Sequence, residues 1–249
     1  MRQRPCHSLT KGACMHVHII QHESFESPAA IATWARDRGH QLTSTRVWKG
    51  DRLPSDPRPI DLLVVMGGPQ SPATTESECP HFHAAEEIIF IRQVIDTDAH
   101  VFGVCLGAQL IGEALGAKFD HSPNRKIGVF DLKLTEAGKQ DPYFSKFPDT
   151  FPVGHWHGDM PGLTDKAEVL ATSQGCPRQV VRYSPQIYGF QCHFEFTLDA
   201  VNSMIENCGH ELTTYRDLPY IQQPDVLRSH DYGPINQKLF QFLDLWTRE

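Results

Sequence analysis

Hydrophobic and polar positions switch between two periods along the first half of the chain. HVHIIQHE, starting at His16, reads as a first strand. SPAAIATWARDRG then takes helical spacing, with Ser27 as N-cap, Pro28 at the first helical position and Gly39 as the stop. QLTSTRVW is a second β-rich run, and KGDRLPSDPRP is a polar, proline-laden loop. IDLLVVMGG and HVFGV are apolar without alternation, as strands covered on both faces of a parallel sheet are. HAAEEIIFIRQVID and GAQLIGEALG return to helical spacing. Strands and helices in turn predict an α/β fold: an open, mostly parallel, doubly wound sheet with flanking helices.

After Phe119 the texture becomes β-like, in KIGVFDLKLT, TFPVGHW, AEVLATS, QVVRY and IYGFQCHF, which predicts a smaller antiparallel portion. A helix is expected from about Thr197 to Cys208, stopped by Gly209, and INQKLFQFLDLW is a last amphipathic stretch. There is no internal repeat or low-complexity linker, so residues 15–249 are expected to form one domain with a helical extension from about residue 207. Residues 1–14 precede the first strand and a second methionine, Met15, and are expected to be a tail or an over-long start without a functional role.

Composition narrows the function classes. With 249 residues and 40% hydrophobic content, the chain can bury one sizeable core and is short for two. A net charge of −7 argues against nucleic acid or an anionic membrane as partner. No apolar run reaches the roughly 18 residues of a membrane-spanning helix, and the N-terminus lacks the apolar core of a secretory signal. The seven cysteines form no CxxC pair and fit free thiols in a reducing compartment, with cytoplasm as the expected location.

One thiol stands apart. In GVCLGAQL, Cys105 lies between Gly103 and Gly107 where a buried strand meets a helix. Small residues two positions either side of a nucleophile mark the strand–turn–helix elbow, which lifts the side chain over the carboxyl edge of the sheet. The helix N-terminus then favours thiolate. A cysteine nucleophile needs a base and an orienting group. His193 and Glu195, in YGFQCHFEF, share one face of an extended segment, while Cys192 and Phe194 point into the core. Glu195 can fix the imidazole tautomer and leave the other nitrogen for Cys105. Gly67 and Gly68, ending a buried strand, and Leu106 after the nucleophile can offer unobstructed N–H groups to an oxyanion.

Glycine loop, elbow and His-x-Glu in this order resemble a class I glutamine amidotransferase domain, whose elbow reads G-x-C-x-G-x-Q and whose base motif usually reads H-P-E. More closely, HGD at 157–159, CPRQVV and YGFQCHFEF resemble the stand-alone GMP synthase-like amidotransferases. The similarity spans about Met15 to Thr197. It implies hydrolysis of the side-chain amide of glutamine through a γ-glutamyl thioester on Cys105, with His193 as base and Glu195 as its support. It also implies that Gly68 and Leu106 hold the oxyanion, that Gln109 contacts substrate, and that His157 and Gly158 lie at the amino-acid-binding strand end. No metal or organic cofactor is required. Phe194 departs from the usual proline and leaves the extended backbone permitted but not enforced.

HVH at 16–18, HFH at 81–83 and HWH at 155–157 each offer two ligands on one strand face. A metallohydrolase would leave the elbow unexplained, so no metal site is expected, and His155 and His157 read as pocket residues. Neither a P-loop nor a synthetase domain is found, so either a separate synthetase subunit accepts the ammonia or the product is simply hydrolysed substrate. Two alternatives remain at this stage: a γ-glutamyl hydrolase or peptidase using the same triad, and a non-catalytic binding or regulatory protein on the same fold.

Overall fold

Two kinds of strand share one sheet. The computed structural model describes residues 14–248, so of the expected N-terminal tail all but Cys14 lies outside the described residues. In chain order the strands are β1 (His16–Gln21), β2 (Gln41–Arg46), β3 (Leu62–Val65), β4 (His100–Val104), β5 (Asp120–Leu134), β6 (Thr150–Met160), β7 (Glu168–Ser173), β8 (Cys176–Ser184) and β9 (Ile187–Phe190). The helices are α1 (Ala29–Asp37), α2 (Ala84–Ile95), α3 (Leu106–Ala114), α4 (Glu136–Gln140), α5 (Leu198–Thr214), α6 (Pro224–Ser229) and α7 (Gly233–Trp246). The sheet order is β2-β1-β3-β4-β9-β8-β7-β5-β6. Neighbours from β2 to β9 run parallel. From β9 to β6 they run antiparallel. This is the expected doubly wound α/β sheet with an antiparallel portion attached.

The unbroken apolar runs follow from coverage on both faces. Leu62 and Val64 of β3 face a core with Trp34 of α1 and with Phe242 and Trp246 of α7. Leu63 and Val65 face the opposite core, built with Phe90, Ile91 and Val94 of α2 and with Leu110 and Ile111 of α3. Helix α7 buries Ile235, Leu239, Phe242, Leu243 and Trp246, each worth roughly 1.5–3 kcal/mol of transfer free energy. Asp244 on the same helix accepts from the Trp34 indole at 2.8 Å and pairs with Arg38, which fastens α7 to α1.

Two helix ends differ from the sequence expectation. Ser27 does not cap α1; Pro28 holds the cap position without a side-chain bond, and Ala29 enters the helix at a φ of 38°. The cap comes instead from far along the chain, since the Ala30 N–H donates to the Glu195 carbonyl at 3.1 Å. Gly39 does terminate the segment, at a φ of 72°. The second difference is α5, which starts after Thr197 as expected but runs through Gly209 to Thr214. Its buried stripe is Val201, Met204, Cys208 and Leu212. A Cβ at Gly209 would meet open space. The apolar period therefore carries the helix past a glycine that has no part in its packing.

Candidate active site

Cys105 follows β4 and precedes α3, with φ 52° and ψ −110°. Such a backbone costs a non-glycine residue about 1–3 kcal/mol and persists only where packing imposes it. Here the flanking glycines permit that packing. A Cβ at Gly103 would lie 2.5 Å from the Gly107 carbonyl carbon, and one at Gly107 would overlap the Val65 carbonyl oxygen of β3. The Cys105 N–H donates to Phe190 O at 2.7 Å, which ties the elbow to the end of β9.

Three groups surround the sulfur. Gln191 Nε2 donates to Cys105 Sγ at 3.3 Å, the thiol faces Trp156 O at 3.7 Å, and the Leu106 N–H points at the sulfur from the start of α3. The helix end was expected to favour thiolate. Burial outweighs it: desolvation raises the thiol above its ordinary value, although the imidazole and the Leu106 N–H pull the other way.

His193 lies just beyond β9. Its Nδ1 meets Glu195 Oε1 at 2.7 Å, and both side chains are buried. Burial opposes charge on the ring, yet the Glu195 carboxylate and the Cys105 sulfur overcome it and hold the imidazole well above its usual value. Among the described residues, neither Nε2 nor Glu195 Oε2 has a hydrogen-bond acceptor or donor at bonding distance and angle. Cys192 and Phe194 point into the core, as alternation requires. The extended backbone is enforced without proline, because His193 exchanges both backbone hydrogen bonds with Gly154 of β6 at 2.8 and 3.1 Å. Gly154 also makes room for Phe196, whose ring stacks on the imidazole at 4.1 Å between centroids.

The glycine loop is oriented by residues that sequence reasoning missed. His22 Nδ1 donates to Gly67 O at 3.0 Å, and its Nε2 meets Glu87 Oε2 at 2.8 Å. Burial lowers the His22 pKa, and Glu87 more than reverses this, so the ring can donate from both nitrogens. A trans peptide points its C=O and N–H in opposite directions. Pinning Gly67 O to His22 therefore turns the Gly68 N–H away from His22, and Gly68 is one of the residues that border the cavity.

That cavity, of about 90 Å³, is bordered by Gly68, Cys105, Gln109, His157 and Gly158 among the expected residues. Gly67, Leu106, His193 and Glu195 do not border it. His155, read with His157 as a pocket residue, is buried behind it and binds Phe130 O through Nε2 at 3.3 Å. Gln109 Nε2 donates to Gln191 Oε1 at 3.1 Å, while its own Oε1 is buried without a partner among the described residues. Burial and nearby cations hold His157 neutral, with a pKa lowered to about 3. Gly158 leaves space for the Arg125 guanidinium, which a Cβ there would approach to 2.8 Å.

Other cavity residues come from distant segments. Arg125 pairs with Glu211 of α5 at 2.6 Å, and Glu211 also accepts from the Trp156 indole at 3.1 Å. Glu26 reaches the cavity from the loop before α1, where burial raises its pKa to about 7. Of all these, only Gln191 left a signal in the sequence. It stands two and four residues before His193 and Glu195, on the same face of the extended segment.

Known proteins share this architecture. Residues 29–212 match the family model for glutamine amidotransferase class-I. The glutamine amidotransferase-like protein YfeJ of Salmonella typhimurium is 48% identical over 94% of this chain and 98% of its own. The glutamine-hydrolyzing GMP synthase of Bacillus cytotoxicus is 30% identical over 53% of this chain, which is only 24% of that enzyme. Among solved structures, SMU.1228c superposes with a TM-score of 0.91 at 47% identity, covering 94% of this chain and all of that one. A Thermotoga maritima glutamine amidotransferase shares the fold at a TM-score of 0.83 and 22% identity, over 95% of this chain and all of its own. With most of its length inside the matched region, the chain belongs to the class I glutamine amidotransferase family.

Proposed function

We propose that the protein hydrolyses the side-chain amide of glutamine through a thioester on Cys105. The observation that carries this reading is the strained Cys105 elbow packed against a buried His193–Glu195 pair. Cys105 Sγ attacks the amide carbon as its proton passes to the neutral imidazole of His193, whose raised pKa makes it the stronger base. The tetrahedral oxyanion lies between the N–H groups of Gly68 and Leu106. Collapse breaks the C–N bond, and His193 returns the proton to departing ammonia. Water, deprotonated by His193, then cleaves the thioester to give glutamate and the free thiol.

Glu195 fixes the tautomer that aims Nε2 away from itself and stabilises the imidazolium. The free carbonyl of Gln109 suits a substrate amide or ammonium donor, and the small polar cavity suits an amino acid rather than a nucleotide. Ammonia is then used by a separate synthetase partner. GMP synthases, which share this domain over about a quarter of their length, supply the analogy.

Labelling with a glutamine-derived electrophile tests the chemistry. The adduct is expected on Cys105 and absent from Cys105→Ala. Modification of other thiols with Cys105 untouched would sink the proposal. Ammonia and amine release from glutamine and a panel of γ-glutamyl compounds then separates glutaminase from γ-glutamyl hydrolase. Inactivity of the wild type across the panel, with and without candidate partners, would indicate a binding role.

A further inference from the structure

We propose that Glu23, Cys79 and His81 form a binding site for a single zinc-class divalent cation, with Gln70 completing it. Glu23 Oε1 lies 2.9 Å from His81 Nε2, Cys79 Sγ lies 3.4 Å from the same nitrogen, and the three ligand atoms are all within 4.8 Å of one another. In a tetrahedral zinc site with bonds of about 2.0–2.3 Å, ligand atoms stand about 3.3–3.6 Å apart. The cluster therefore needs only a few tenths of an ångström of expansion at its closest pair. A thiolate and a carboxylate balance the charge of a dication, and a mixed sulfur, nitrogen and oxygen set selects zinc-like ions over magnesium or calcium.

Gln70 supplies the second, independent observation. Its Nε2 donates to both Glu23 Oε1 at 2.7 Å and Cys79 Sγ at 3.3 Å, so the amide already points at the ligand cluster. Its Oε1 is buried without a partner. A half-turn of the amide exchanges the two ends and places the oxygen toward the cation as its fourth ligand.

The segment is also held in place. Phe82, next to His81, is buried against the core, and Cys79 O accepts from the Phe82 N–H at 3.1 Å. His81 keeps a third of its side chain exposed and borders a hollow of about 680 Å³, which gives an ion a route in. The HFH motif contributes through one histidine only. These residues lie on a loop rather than a strand, and His83 turns to Glu76 at 3.0 Å. Pro69 and Gln70 continue directly from Gly68 and both border the cavity beside Cys105, so an occupied site would anchor one edge of that cavity.

The site does not depend on the glutaminase reading, and its test uses binding alone. Cobalt(II) and zinc are added to metal-stripped full-length Cys105→Ser protein, which removes the elbow thiol as a competing ligand. One equivalent of cobalt is expected, with thiolate-to-metal charge-transfer absorption that Cys79→Ser abolishes. His81→Ala is expected to weaken zinc binding at least about tenfold. Zinc should raise the Tm of the parent and leave the Cys79→Ser/His81→Ala variant unmoved. In the unsubstituted chain, zinc should protect Cys79 from alkylation, read by mass spectrometry, which avoids any folding defect of the variants. Absent cobalt absorption, absorption that survives Cys79→Ser, or alkylation of Cys79 unaffected by zinc would overturn the proposal.

Discussion

The parallel and antiparallel halves of the sheet build the site by opposite means. On the parallel side, the ends of β3 and β4 bring Gly67, Gly68 and Cys105 together, and Gly103 and Gly107 allow a backbone approach that any side chain would block. On the antiparallel side, β5, β6 and α5 supply long side chains, Arg125, Trp156, His157 and Glu211, that reach across to form a wall. The first half fixes the position of the thiol, and the second shapes the cavity beside it. A Cβ at Gly103 or Gly107 would meet backbone that cannot move aside, whereas a side-chain wall can be altered piece by piece.

The contrast is sharpened most by Cys105→Ala, for which glutamine hydrolysis, followed as ammonia release, should fall at least about 10⁴-fold. Gly107→Ala should come next, because its Cβ meets the backbone of β3 rather than a movable side chain. A loss of about 3 kcal/mol or more, seen as a Tm lower by about 6–12 °C, is expected. Unchanged thermal stability would mean that the elbow can relax.

Glu26→Gln tests a buried acid on the parallel side. Its folded pKa of about 7 lies above the unfolded 4.5, so the folded state binds the extra proton between those values. Stability from this group is therefore lost as pH rises from about 4.5 to 7. Removing the charge should recover about 3 kcal/mol at pH 8 and nothing at pH 4, measured as urea midpoints. Equal midpoint shifts at both pH values would contradict this.

Glu195→Gln should lower kcat about 100-fold, less than loss of the nucleophile, because orientation is weakened while Cys105 stays in place. Equal losses in two well-folded variants would refute that ranking. Arg125→Ala should have the smallest effect, raising KM about tenfold with kcat nearly unchanged, as expected of the wall. A kcat defect as large as that of Glu195→Gln would erase the distinction between the halves.

The same division governs what could be read from the sequence. Gly103, Cys105 and Gly107 act within five residues, and His193 and Glu195 share a face over three, so local pattern was enough to nominate them. Arg125 and Glu211 meet across 86 positions, and no short window reports such a pair. His22 left no local sign either, since its partners Gly67 and Glu87 lie 45 and 65 residues away. The α1 start was misread for the same reason, because its cap is the Glu195 carbonyl rather than Ser27. At Gly209 the error was local: a residue that often ends helices was weighed above the apolar stripe continuing to Leu212.

The lateral position of β9 has a consequence for the time before folding is complete. It is the last strand in the chain, yet it is inserted beside β4 at the centre of the sheet. Until Ile187–Phe190 dock there, the Cys105 N–H lacks its acceptor and His193 has not been brought alongside the sulfur. A nascent chain emerging from the ribosome thus carries Cys105 for more than eighty residues of synthesis before His193 appears. The order of translation is itself a safety catch on the thiol.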